Sequence, residues 1–359
     1  MAPTTQFEVA QPPSDAVSAI AFAPESPTRF LVSSWDKNVY LYNITSTEEE
    51  HTATLTQRYP HQAPVLDVCF GADDNTAYTA GMDWTLRSLS LTDGTQTVLS
   101  KHSAPVRCVV FSPQSSLVVS ASWDSTLHVH SSAPSSSPQT HLTIPLPGKP
   151  HALAASPTKL VVAMTARLVH IYDLPTLSQA LSTFAQTGSQ PQVTPWQQRE
   201  SSLKFLTRAV SCMPNDAGYA TSSIEGRVAV EWFEDTPESQ SRKYAFKCHR
   251  QTAPEEEGGG DVVYPVNALA FHPVYGTFAS AGGDGTVALW DAEAKRRMRQ
   301  YQRFPNSIAA VDFSRDGRFL AIGVCPGFET GMEDYSGQGQ TSVFVRELGE
   351  TEAKGKGAK

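Results

Sequence analysis

An all-β ring of seven blades, the last closed by the N-terminal strand, is the fold this sequence predicts. Three observations carry that expectation. A short apolar pattern returns seven times along the chain, an acid-bearing turn followed by an alternating strand accompanies most of its copies, and the last copy is one strand short.

The first pattern is a Val or Ile, an apolar residue three positions on and a Phe two further on. It reads VSAIAFAP from Val17, VLDVCF from Val65, VRCVVFSP from Val106, VNALAFHP from Val266 and IAAVDFS from Ile308. HALAASP from His151 and AVSCMP from Ala209 are weaker copies. Successive starts lie about 41 to 58 residues apart, close to the roughly 40–45 of WD repeats once insertions are allowed for. The second pattern reads SWDKNVYLYN from Ser34, GMDWTLRSLS from Gly81, SWDSTLHVHS from Ser122, SIEGRVAVEW from Ser223 and GGDGTVALWD from Gly282. Blade four keeps the strand without the acid, in AMTARLVHIYD from Ala163. Alternation of apolar residues is the signature of a half-buried strand, and the tight turn makes a hairpin with the strand before it. Each repeat is then a small antiparallel sheet that cannot cover both faces alone. Stacking the repeats into a WD-repeat β-propeller buries those faces and leaves few free edges.

The last repeat supplies only VDF, FLAIGVC and SVFVREL, so the segment Phe7–Ala10 is expected to complete that blade. Residues 1–348 then form one propeller, and the charged tail 349–359, without apolar anchors, is expected to be disordered. Three turn-rich insertions read as surface loops: Ser131–His141, the stretch from Thr183 to Trp196, and the acidic Gln251–Asp261.

Composition narrows the function. The chain is 40% hydrophobic and 18% charged, with a net charge of −8, which argues against bulk affinity for nucleic acid. No long apolar run suggests a membrane span, and the N-terminus lacks the form of a secretory signal. Five scattered cysteines, an odd number without a CxxC pair, fit reduced thiols and no zinc site. No cofactor or metal is expected. His61 and His102 stand ahead of Asp83 and Asp124 in their repeats. A His with a downstream acid and Ser could belong to a hydrolase triad, but the arrangement recurs from unit to unit, as scaffold hydrogen bonds do and catalytic triads do not. Catalytic residues are therefore expected to be absent.

Two sets of residues stand out as binding candidates. The hairpin tips of blades one to three carry Trp35, Met82 and Trp123, where polar residues are usual. They are either a recognition surface or side chains folded onto a neighbouring blade. In blade five, a hairpin centred on Pro237 places Arg227 opposite Lys247. Like charges face to face weaken a sheet unless something negative lies between them. Either an internal acid, Glu225 or Glu231, or the phosphate or carboxylate of a ligand meets that need. Arg199, Lys204 and Arg208 lie close in sequence and are candidate supporting cations, and the KRRMRQYQR run at 295–303 reads as a solvated edge strand.

Several stretches go beyond a generic repeat. LVSSWDKNVYLYN, RESSLKFLTRAV, SSIEGRVAVEWF, KYAFKCHR and YPVNALAFH resemble the budding-uninhibited-by-benzimidazole (Bub) family of checkpoint WD-repeat proteins, from about Gln11 to Leu348. A sister family, the nuclear-pore propellers of messenger-RNA export, shares IEGRVAVE and FKCHR, while SSWD and ESSLKFLTR look more like the checkpoint branch. The resemblance implies a non-enzymatic adaptor, monomeric within hetero-complexes, nuclear and at kinetochores in mitosis, with no membrane or direct nucleic-acid partner. It implies two partners. Checkpoint kinases and kinase-like proteins offer a GLEBS segment to the tip tryptophans matching Trp35 and Trp123. A kinetochore scaffold offers phosphorylated Met-Glu-Leu-Thr repeats to the basic residues matching Arg227 and Lys247.

Overall fold

The computed structural model describes residues 6–47, 51–132, 141–252, 259–327 and 340–355. Seven four-stranded antiparallel sheets form the ring, and an eighth, two-stranded sheet is appended between blades five and six. Blade one consists of Val17–Phe22, Arg29–Ser34, Asn38–Ser46 and His51–Pro60, and the following blades repeat that order. Blade seven takes Ile308–Phe313, Phe319–Val324 and Ser342–Glu347 from the C-terminal end. Its outermost strand is Gln6–Glu8, with Phe7 opposite Val345, so the two ends of the chain close one sheet as the sequence predicts.

The apolar core is divided into seven clusters, one in each seam between neighbouring blades. In the second strand of blade one, Phe30 and Val32 join the seam with blade seven while Leu31 joins the seam with blade two. A strand covered on both faces carries an unbroken apolar run, which is why FLVSS and LVVSA lack polar alternation. Fourth strands face solvent on one side and do alternate, as in Leu142–Pro145, where Leu142 and Ile144 are buried and Thr143 and Pro145 exposed.

First strands of successive blades touch around the axis, blade seven meeting blade one. Each of these seven strands has a register shift one residue after its start, at Ser18, Leu66, Arg107, His151, Arg208, Asn267 and Ala309. A bulge re-aims its side chain, and these residues line the axial cavities. The hairpin tips of blades one, three and six are Asx turns: Asn38 N donates to Asp36 Oδ1 (3.0 Å), Thr126 N to Asp124 Oδ1 (3.0 Å) and Thr286 N to Asp284 Oδ1 (3.1 Å).

Three expectations change. Thr183 to Trp196 is not wholly loop, because helix α1 (Leu174–Thr187) reaches into it. Asp173 caps that helix, and Leu174, Leu177 and Leu181 pack on the outer part of blade three. Gln190 accepts from Thr143 N (3.2 Å), covering that blade's open edge. The acidic insertion is flanked by the small sheet of Arg250–Thr252 and Asp261–Val263, with 253–258 outside the described residues. Residues 133–140 of the Ser131 insertion also lie outside them. The tail expected to be disordered from Gly349 is docked as far as Gly355: Ala353 is buried, its carbonyl accepts from Thr277 Oγ1 (2.8 Å), and Glu352 accepts from Arg346 Nε (3.1 Å). A backbone acceptor and one carboxylate anchor it, neither of which an apolar pattern reveals.

Candidate functional site

The tips between second and third strands gather around one mouth of the axial channel, here called the upper rim. Trp35, 36% exposed, and the half-buried Trp123 both line a cavity of about 600 Å³ there, together with Ile224, Val263 and Pro326. Arg107 and Arg208 stand deeper in the same cavity. An apolar mouth with cations below suits a segment that buries large side chains and carries an acid. Met82, the third tip candidate, is half-buried and does not line this cavity. Its neighbour Trp84 is the exposed aromatic of blade two, at φ +68°. Trp84 follows the turn acid Asp83 instead of preceding it, which hides it when tips are aligned on the position before the acid.

Arg227 and Lys247 are directly opposite in the third and fourth strands of blade five, in the register expected from the hairpin centre. The linker holds helix α2 (Pro237–Arg242), capped by Thr236, and its length leaves the pairing unchanged. Gly226 sets the start of the third strand at φ +64°, and a Cβ there would lie 2.7 Å from the Cys248 carbonyl oxygen. Only glycine fits that turn, and it fixes where Arg227 begins its strand.

Of the two acids proposed to neutralise this pair, Glu225 lies 3.5 Å from Arg227 Nε. Glu231 is engaged elsewhere, accepting from Tyr219 Oη (2.9 Å) and Ser202 Oγ (2.5 Å). Among the described residues no carboxylate lies within ion-pair reach of Lys247, which is exposed. Arg227 is thus partly compensated and Lys247 is not.

The three candidate supporting cations part company. Arg199 donates to the Trp232 carbonyl (2.8 Å) and the Phe233 carbonyl (2.9 Å) and stands 3.8 Å from Glu231, tying blade four to blade five. Arg208, at its bulge, donates to Asn267 Oδ1 (3.1 Å) in the axial channel. Lys204 is exposed on the loop beside Phe205 and Leu206, whose carbonyl accepts from Ile224 N (3.2 Å). Phe205, Leu206 and Ile224 are exposed apolar residues close to Arg227 that charge-based reading overlooked.

His102 is buried, with Nε2 3.0 Å from Ser120 Oγ and Nδ1 3.1 Å from Asp124. His249 repeats the arrangement with Ser280 and Asp284, both at 2.8 Å, and Trp290 Nε1 also donates to Ser280. Ser120 and Ser280 are fully buried and offer no nucleophile to a substrate, so these are scaffold ties that fasten the segment entering a blade to that blade's second and third strands. In blade two the tie is incomplete: His61 meets Thr79, while Asp83 binds Arg87. Among the described residues no His, Cys, Asp and Glu group is arranged to hold a metal, and no helix is long and apolar enough to cross a membrane.

The sequence profile of the WD domain, G-beta repeat, matches residues 5–43, 52–88, 94–131 and 261–291. The mitotic checkpoint protein BUB3.1 of Arabidopsis thaliana is 41% identical over 99% of this chain and 96% of its own length. The mitotic checkpoint protein bub3 of Dictyostelium discoideum is 34% identical over 93% of each chain. The mRNA export factor GLE2 of Chaetomium thermophilum is 31% identical over 94% of this chain and 89% of its own.

Proposed function

The chain belongs to the Bub3 family of WD40-repeat mitotic checkpoint proteins, and we propose that it is the adaptor that brings checkpoint kinases to phosphorylated kinetochore scaffold. One surface, the upper rim with Trp35 and Trp123, takes a GLEBS segment of a checkpoint kinase or kinase-like protein. The other, Arg227 with Lys247, takes the phosphothreonine of a Met-Glu-Leu-Thr repeat, in the nucleus and at kinetochores. The observation that carries this reading is the like-charged pair itself. Two cations face each other on adjacent strands, with a carboxylate beside Arg227 and none at Lys247, and a phosphate of charge about −1.5 to −2 would supply the rest. Arg gives a bidentate contact and Lys a point charge.

Titration of phosphorylated and unphosphorylated Met-Glu-Leu-Thr peptides onto wild type, Arg227→Glu and Lys247→Glu tests it. Wild type is expected to prefer the phosphopeptide, and each reversal to lose about 2 kcal/mol or more of binding, roughly thirty-fold. Phosphopeptide affinity that survives both reversals, or that does not weaken with salt, sinks the assignment.

The export relatives favour a second reading, a nuclear-pore adaptor for messenger-RNA export. Crosslinking in cells separates the two: polyadenylated RNA and pore proteins in place of checkpoint kinases favour export.

A further inference from the structure

Two serines stand at the same place in the ring, each in a sequence that proline-directed kinases accept. Ser26-Pro27-Thr28-Arg29 and Ser156-Pro157-Thr158-Lys159 both place Pro directly after Ser and a cation three residues on. Each fills the turn between first and second strands, in blades one and four. Such turns lie on the face opposite the upper rim, because each strand reverses the one before it.

In both turns an aspartate of the next blade clamps the backbone. Asp74 accepts from Glu25 N (2.9 Å) and Ser26 N (3.0 Å), and Asp216 accepts from Thr158 N (3.1 Å). The hydroxyls differ. Ser156 is buried, its Oγ donates to Asp216 (2.5 Å) and accepts from Lys159 N (3.0 Å). Ser26 is half-buried and its Oγ makes no hydrogen bond among the described residues.

We propose that Ser26 is a phosphoacceptor for a proline-directed kinase of the cyclin-dependent class, and that its phosphate loosens the Asp74 clamp between blades one and two. Ser26 Oγ attacks the γ-phosphorus of ATP and the O–P bond forms as the bond to the β,γ-bridging oxygen breaks. ADP leaves, and the hydroxyl proton passes to the kinase's base. The product sets a charge of about −1.5 to −2 beside the carboxylate that holds the Ser26 amide. Arg29, now 4.0 Å from Asp74, gains a stronger partner in the phosphate. Repulsion and the loss of Arg29 act in the same direction. Ser156 is the internal control, with the same motif but an occupied hydroxyl.

The full-length folded protein is incubated with a purified cyclin-dependent kinase and ATP, and phosphate is mapped by mass spectrometry. Label is expected on Ser26 and not on Ser156, and is lost in Ser26→Ala. That variant folds, because Asp74 binds backbone amides and not the hydroxyl. Phosphorylation is expected to lower Tm by about 2 °C, and by less in Asp74→Asn, whose clamp is already weakened. A folded chain that stays unlabelled at Ser26, while a peptide of residues 22–33 is labelled, overturns the site. Equal labelling of Ser156 also overturns it, since the substrate was then an opened chain. Stoichiometric phosphate with unchanged Tm overturns the clamp.

Discussion

Beside Arg227, Glu225 is close enough to compete with any incoming anion, 3.5 Å from Nε. Glu225→Gln removes that competitor and is expected to tighten phosphopeptide binding a few-fold, measured by titration as for the reversals. Buried ionisable groups elsewhere tune stability in opposite senses. Asp312 accepts from Phe22 N (2.8 Å) across the closing seam, and burial pushes its carboxyl up to about 7. The folded state then holds the proton more tightly than the unfolded one, so stability falls as pH rises from about 4 to 7. Asp312→Asn keeps the acceptor and loses the charge. A gain of roughly 1–2 kcal/mol is expected above pH 8, discounted because Asp312 is half-buried, and none near pH 3. In blade three, His102 and His128 stack with centroids 3.5 Å apart and His141 lies over both His128 and His130. Burial and the neighbouring imidazoles push His128 and His130 down to about 3. These rings stay neutral when folded and charge when unfolded, so they withdraw stability as pH falls below about 6.5. The two effects overlap near pH 5, and His128→Phe with His130→Phe is expected to flatten the acid limb of Tm against pH while leaving the limb set by Asp312.

The blade-five hairpin was legible in the sequence because a strand register depends only on where its turn is centred, and Val228 opposite Phe246 keeps both on the buried face. The closing strand was legible for a similar reason, since blade seven lacked one strand. Arg199 and Arg208 were not. Their destinations are the Trp232 and Phe233 carbonyls of the next blade and Asn267 on the neighbouring first strand of blade six, partners that exist only once blades stack. The docked tail was hidden in the same way, its anchors being the Ala353 carbonyl and Glu352. Two truncations test the elements. Removing residues 1–8 takes away the pairing of Gln6–Glu8 with Phe344–Arg346, and ending the chain at Leu348 takes away the seal over Thr277. Both are expected to lower Tm by several degrees.

Across the whole molecule, apolar burial lies between blades and not within them. No blade keeps its core if its neighbour leaves, and the ring has no end from which to fray. Unfolding is therefore expected to be cooperative. Trp35, Trp84, Trp123, Trp196, Trp232 and Trp290 fall one to each of blades one to six. In each single-tryptophan variant the fluorescence midpoint is expected to coincide with that same variant's far-UV circular dichroism midpoint, within error. A fluorescence midpoint that departs from circular dichroism within one variant would show that the seams open separately.

The seven bulges turn the axis into a dial with seven settings. Backbone geometry at each setting is the same, so the letter written there is decoupled from the fold: Ser18, Leu66, Arg107, His151, Arg208, Asn267 and Ala309 differ in size, charge and polarity on one repeated frame. Two arginines flank a histidine on three successive settings, giving the axis a positive sector in a chain of net charge −8. A lineage can rewrite such a dial one letter at a time, changing what the channel mouth favours while the seams that keep the ring closed go untouched.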